Sequence, residues 1–440
     1  MNHERESNRQ SSQSASSRSK DPAICSATEL MRHLLISGVR RVAPTHAMSA
    51  LKSHAVIGII LVLQFSALRA EDVDPLVPWR SGVCVEPVAS YTDRHVIHSY
   101  FNACPESPDG RYVVYFTSDA ADGESGDIRV LDRGAGKERA IATNITCEDA
   151  HRVACQQWSN GGKAVVYHDC RDQRWHVVAV DVTTNKTRIL AKDRQLGFGS
   201  PASPWVPIYG CHWNPGEHRD LELANVVTGE IKTVLKLEEV VGTYAEWMEM
   251  EFGTIDLSIF FPIMSPNSDR VFFKMALPGG GTDFRRGNAS YRQGKVVYDL
   301  EHQKFVRLFE KWGHPSWSPD GHQILEKGNL TLDVNTGRSQ RVAPSCFSNH
   351  PTIAPRGGLF VTDANVTKRK LGDPGDWAIA VGSMTRDDFV VIDIFGNTEG
   401  AKSWRPSHPH PVFSADQQRI YYNVNEGPWT TLMVAIAGSR

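Results

Sequence analysis

The chain has 440 residues, 40% of them hydrophobic, with 48 basic against 50 acidic side chains and a formal net charge of −2. That is enough apolar material for a large core. Charges of both signs are interspersed, whereas a protein held by phosphate contacts carries a basic domain or a clustered Lys/Arg stripe, so nucleic acid is not an expected partner.

Residues 1–20 are rich in Ser, Arg, Asn and Gln and nearly free of apolar side chains, so they cannot bury enough surface to order themselves. Lys52-Ser53-His54 then precedes an apolar run from Ala55 to Leu68, followed by Arg69-Ala70 and the acidic Glu71-Asp72. A basic flank, a core of about 7–15 apolar residues and a small residue before the cut are the layout of a secretory signal peptide. The run is shorter than the roughly 20 residues of a membrane span; the alternative is an uncleaved N-terminal anchor. Met48 stands just ahead of the basic flank and reads as the start codon. Residues 1–47 are then a disordered or untranslated extension, 48–70 the signal peptide and 71–440 the mature domain, periplasmic or secreted, with no membrane attachment after cleavage.

Seven cysteines follow the cut (Cys84, Cys104, Cys147, Cys155, Cys170, Cys211 and Cys346), with no C-x-x-C pair and no zinc-ribbon spacing, which argues against a structural zinc site. Export permits disulfides, with Cys84–Cys104 and Cys147–Cys155 as local candidates and isolated buried thiols as the alternative.

One pattern recurs along the mature chain: an extended entry, a Ser-Pro-Asp-Gly-like turn, then a strand of β-branched and aromatic residues. The clearest copies are CPESPDGRYVVYF from Cys104 and HPSWSPDGHQIL from His314. Weaker copies start at Gln156, Phe261, His350 and His410, and a degenerate one at His212. The turns fall at Ser107, Ser159, near Asn214, Ser265, Ser318, Ala354 and Ser414, a spacing of about 51, close to the kelch-like propeller period. Most units hold a second hairpin signal, as in VDVTTNKTRIL, ANVVTGEIKTVL and LDVNTGRSQRV. Two hairpins per unit make a four-stranded blade, so the predicted fold is all-β, a seven-bladed β-propeller. The one plausible helix runs from Leu237 to Met250, interrupted by Gly242. The last unit is one strand short, and a strand within Val83 to Tyr91 is expected to close the ring beside it.

Residues at the entry to each innermost strand line the mouth of a propeller's channel. Here those positions are rich in histidine: His314, His350, His408 and His410. An extended His-Pro-His puts both imidazoles on one side of a strand. With His350 from the neighbouring blade they would form a facial ligand set for a first-row metal. The alternative is that His-Pro caps each strand while the ring bonds a carbonyl.

The entries WGHPSWSPDG, NHPTIAPRGGLFVTDA and HPHPVFSADQQRIYYN resemble the last three blades of oligogalacturonate lyases. The resemblance implies a divalent cation, usually manganese, held by His350, His408 and His410, with His314 as base and Arg292 as catalytic arginine, Arg286 being the second match. The family places a metal-binding glutamine three residues before the paired histidines. This chain has Arg405 there, which cannot ligate a metal, so a fourth ligand would have to be water.

Eliminating the 4-linked sugar from a uronate requires loss of the C5 proton, which is acidic only when the adjacent carboxylate is neutralised by a cation or by arginines. A neutral imidazole can take that proton. Lys402 and Arg405 are further candidates for pairing with an acidic oligosaccharide. A second cluster lies in the early blades, at His98, Tyr100, His151, Arg152 and His168. The placing of His151 and His168 is similar to that in propeller lyases acting on sulfated uronic-acid polymers, and Trp158 and Trp213 would either stack on sugar or pack the core. A uronate lyase is the leading expectation. The alternatives are a TolB-like propeller that binds a protein or glycan without catalysis and, last, a glycoside hydrolase, for which no recurring carboxylate pair is present.

Overall fold

The computed structural model describes residues 74–211, 214–279 and 291–438; the extension and the signal peptide lie outside the described residues. The repeated turns fold for local reasons. In the Ser-Pro-Asp-Gly copies the serine hydroxyl accepts the backbone N–H that opens the next strand, Tyr112 on Ser107 at 2.9 Å, Gln323 on Ser318 at 2.9 Å and Arg419 on Ser414 at 3.0 Å. It donates in turn to the aspartate two residues on, at 2.5 to 2.6 Å. Gly110 and Gly321 close two of these turns at φ +74 and +68, where a side chain would be strained. In the second hairpin of a unit an aspartate caps the turn: Asp181 accepts from Thr183 and Thr184, and Asp333 from Asn335 and Thr336.

The hairpins assemble into seven four-stranded antiparallel sheets. In chain order the innermost strands are His95–Ile97, Gln157–Ser159, Arg194–Leu196, Ser258–Met264, Ser316–Trp317, Thr352–Ile353 and Val412–Phe413, and they open blades 1 to 7. Cys84–Pro87 pairs with Thr431–Ile436, Val85 opposite Ala435, so the expected early strand supplies the fourth strand of blade 7 and closes the ring. Blades pack face to face. Val114, Phe116 and Ile128 meet Val165, Tyr167 and Val178 between blades 1 and 2, and Val361 and Ile379 meet Phe413, Ile420 and Tyr422 between blades 6 and 7. Strands covered on both faces read as continuous apolar runs, as these do.

Three expectations need correction. The third unit's turn is not at Asn214, which follows the second strand of blade 3, Trp205–Gly210; the matching turn is Ser200 to Ser203, closed by Ser203 N on Ser200 O at 3.1 Å. Cys104 and Cys155 carry free thiols, so neither Cys84–Cys104 nor Cys147–Cys155 is bridged. The helix spans Leu237–Phe252 and its irregular residue is Tyr244, at φ −128, not Gly242. Among the described residues no helix is long and apolar enough to cross a membrane.

Blade 1 departs from its siblings. After Ile97 the chain leaves the sheet and arches into the channel, returning at Glu106, which bridges to Val113. Tyr100 and Phe101 sit at the crest, buried. Asn102 Nδ2 donates to Pro315 O of the blade 5 entry at 3.0 Å, and Thr352 Oγ1 of blade 6 donates to Phe101 O at 3.2 Å. On the turn side of this arch lies an apolar cavity of about 320 Å³ lined by Trp158, Trp317, Phe413 and the turn prolines. On the other side lie the histidines.

Candidate active site

The histidines meet because entry segments from distant parts of the chain are tied together over blade 1. Ala150 N donates to Ser403 Oγ at 2.8 Å, Trp404 Nε1 to Glu148 O at 3.0 Å, and Arg405 Nη1 to Asp149 Oδ2 at 3.4 Å. Asn423 brackets the join, accepting from His98 N at 3.0 Å and donating to His98 O and His408 O. The result is a cluster of imidazoles. Ring centroids are 4.5 Å apart for His151 and His410, 4.7 Å for His151 and His408, 4.6 Å for His350 and His410, and 4.3 Å for His314 and His350.

His408-Pro409-His410 is not an extended strand, since His410 lies at φ +50 and the strand begins only at Val412. A bend, and not period-two alternation, brings both rings inward, with centroids 5.7 Å apart. Val153, Cys155 and Phe261 around the same mouth also have positive φ, at +42, +51 and +56. Bulky residues adopt this conformation at a cost that the surrounding structure must overcome, and such strain concentrates at functional sites.

Hydrogen bonds fix the ring orientations. His350 Nδ1 lies 2.9 Å from Asp363 Oδ1, whose carboxylate also accepts His350 N at 3.0 Å and His410 N at 3.2 Å. His314 Nδ1 donates to Asn349 O at 2.8 Å, which leaves its Nε2 as the lone-pair nitrogen. His350 Nε2, His408 Nδ1 and both ring nitrogens of His410 are buried and have no hydrogen-bond partner among the described residues. One ligand atom from each of His151, His408 and His410 lies within 4.8 Å of the others. The metal set expected from sequence was His350, His408 and His410; among the described residues the triad that closes to this distance has His151 in place of His350, whose ring lies 5.4 Å from His408 and 4.6 Å from His410.

Burial, reinforced by the neighbouring imidazoles, holds His410 well below the ordinary histidine range, and burial with Arg405 does the same to His151. Burial pushes His408 down to about 4 and His314 to about 3. The rings are therefore neutral at ordinary pH, the form in which imidazole donates a lone pair.

Arg405 borders this cluster through Asp149, and Arg292 is half-buried at the start of its strand, its guanidinium 5.0 Å from the Phe260 ring. Trp158 is not placed to stack on a sugar at the histidine face: it is 2% exposed, donates to Pro105 O at 2.7 Å and borders the turn-side cavity. His168 is also core; its Nδ1 accepts Leu196 N at 3.1 Å and its ring packs on Trp175. Lys402 is exposed and pairs with Glu399 at 2.6 Å. Arg286 and Trp213 lie outside the described residues. Sequence reasoning missed Asp363 and Lys274, and the available signal was a charge inside an apolar strand, in Phe-Val-Thr-Asp-Ala and Val-Phe-Phe-Lys-Met.

No family model matches the chain, and no curated protein matches it. Among solved structures it is similar to an oligogalacturonate lyase in complex with manganese, with a TM-score of 0.54 and 15% identity over 81% of this chain and 97% of that one. It is similar also to an oligogalacturonate lyase from Vibrio parahaemolyticus, with a TM-score of 0.54 and 13% identity over the same shares. At these identities the likeness establishes the fold: a seven-bladed propeller of the shape seen in those two lyase structures.

Proposed function

We propose that the chain is a carbohydrate lyase that cleaves uronic-acid oligosaccharides of the oligogalacturonate kind by metal-assisted β-elimination. One observation carries the reading: buried and half-buried imidazoles converge at the channel mouth with ring nitrogens that no group among the described residues satisfies. Buried polar atoms are ordinarily hydrogen-bonded, and an all-imidazole set suits a divalent first-row cation. His151, His408 and His410 would hold it, with His350 completing the set and Asp363 orienting His350 from behind. The cation, Mn²⁺ in this reading, supplies Lewis-acid neutralisation of the uronate carboxylate.

The chain's own groups do the rest. Arg292 and Arg405 pair with the acidic substrate in a poorly solvated mouth, where such contacts are strong. His314 takes the C5 proton at Nε2, because its Nδ1–H is committed to Asn349. The C5–H electron pair becomes the C4–C5 double bond, the C4–O bond breaks, and the leaving oxygen takes a proton back through solvent. The layout of residues 48–70 supports a periplasmic or secreted site of action.

The test is to assay purified mature protein with Mn²⁺ against a panel of galacturonic and glucuronic oligomers, following the ultraviolet absorbance of the unsaturated product, with metal content measured in parallel. Product from one of them, lost in His314→Ala with metal retained, is expected. No bound metal at saturation and no product from any oligomer would leave the non-catalytic binding module as the better account.

A further inference from the structure

We propose that Lys274 and Arg292 form a second oxyanion subsite beside the histidine centre, which receives the carboxylate of the sugar next to the one that reacts. The identity of the ligand rests on the lyase reading; the existence of the subsite does not.

Lys274 lies inside the strand Arg270–Ala276 of blade 4 and is 8% exposed. Its ammonium sits 3.7 Å from the Trp312 ring centroid, 5.1 Å from Phe261 and 5.7 Å from Phe260. Arg292, on the adjacent strand and paired in register with Ala276, lies over the same Phe260 ring. Among the described residues no carboxylate pairs with either of them. Among the described residues the other buried cations, Arg152 and Lys295, are matched, with Glu148 at 2.9 Å and with Glu326, and the half-buried Arg419 pairs with Glu106 at 2.6 Å. A buried charge without a counter-charge is costly, and aromatic faces offset only part of that cost.

Burial and the repulsion of Arg292, Arg405 and Arg152 hold Lys274 well below its ordinary range, and burial with the same neighbours pushes Arg292 down to about 10. An incoming oxyanion reverses both effects at once. The backbone is bent to build the place: pairing slips between Phe260 and Ile263, and Phe261 takes φ +56, presenting its ring between Lys274 and the Arg152 guanidinium, 4.9 Å away. From Phe261 the path to the histidines runs through Tyr100, 5.7 Å off, to His410, 4.6 Å further. That is within the reach of two linked sugar rings.

Calorimetric titration of the mature protein with Mn²⁺ present, using galacturonate, digalacturonate and sodium sulfate as probes, tests this. In the His314→Ala background, in which the proposed cleavage does not run, the protein with Lys274 intact is expected to bind digalacturonate at least about tenfold more tightly than galacturonate, and to bind sulfate at one site. Lys274→Met should weaken digalacturonate by about tenfold to a hundredfold, leave galacturonate within about twofold, and abolish sulfate binding. Lys274→Arg should retain most of the preference, and Lys274→Gln replaces the methionine variant if that one melts early. Sulfate binding that depends on Lys274 with no uronate bound or cleaved would support the subsite and overturn the lyase reading. Uronate cleavage with sulfate binding and dimer preference unchanged in Lys274→Met would do the reverse.

Discussion

Asp363→Asn isolates the part played by the carboxylate behind the histidines. Asp363 is fully buried and accepts three N–H groups, from the His350 ring and from the backbone of His350 and His410. Asparagine keeps the shape and one acceptor oxygen but turns an NH₂ toward a donor, so at least one charge-assisted bond is lost, worth about 1.5–3 kcal/mol. His350 is then free to rotate or to change tautomer. Loss of such an outer carboxylate lowers metal affinity by about tenfold to a hundredfold. Urea unfolding of the metal-free protein should fall by about 2 kcal/mol, and Mn²⁺ titration should show the affinity loss separately. A variant that loses stability yet binds Mn²⁺ within about twofold of wild type would refute the orienting role and leave Asp363 as a fold residue only.

His151→Ala should weaken Mn²⁺ binding by at least about tenfold, whereas His168→Ala, which removes the acceptor for Leu196 N, should cost about 1–3 kcal/mol of stability with Mn²⁺ binding intact. Equal metal affinities in the two variants would contradict the placing of His151. Burial holds His98 at about 4 and His168 at about 3, while an unfolded imidazole takes its proton near pH 6.5. Between roughly pH 6.5 and 4 the unfolded state binds more protons, so stability falls as pH drops through that window and is level above it. Urea midpoints that do not decrease from about pH 7.5 to about pH 5 would refute this.

The propeller was legible because its turns are written locally: Ser107, Ser318 and Ser414 each carry their hydrogen-bonding aspartate two residues away. Blade 3 shows where that fails. Its turn at Ser200 to Ser203 lacks the Asp-Gly pair, so the repeat spacing points instead to Asn214. The histidine entries of blades 5 to 7 were visible as His-Pro pairs. The partnership of His151 with His408 was not, because it exists only once the ring closes and the loops before blades 2 and 7 meet over blade 1. His-Pro-His was read by strand periodicity, and a single positive φ at His410 overrode it. Lys274 was hidden inside an apolar strand, since neighbours across the channel decide whether a buried charge is matched.

The arch carrying Tyr100 and Phe101 has a consequence for traffic. Phe101 packs near His314, His350 and His410 on one side and borders the turn-side cavity on the other. The ring is thus a cup with a floor and not a tube. On the proposed reading, a ligand at the histidines would meet Phe101 on its way toward the turn side and would leave by the doorway it entered.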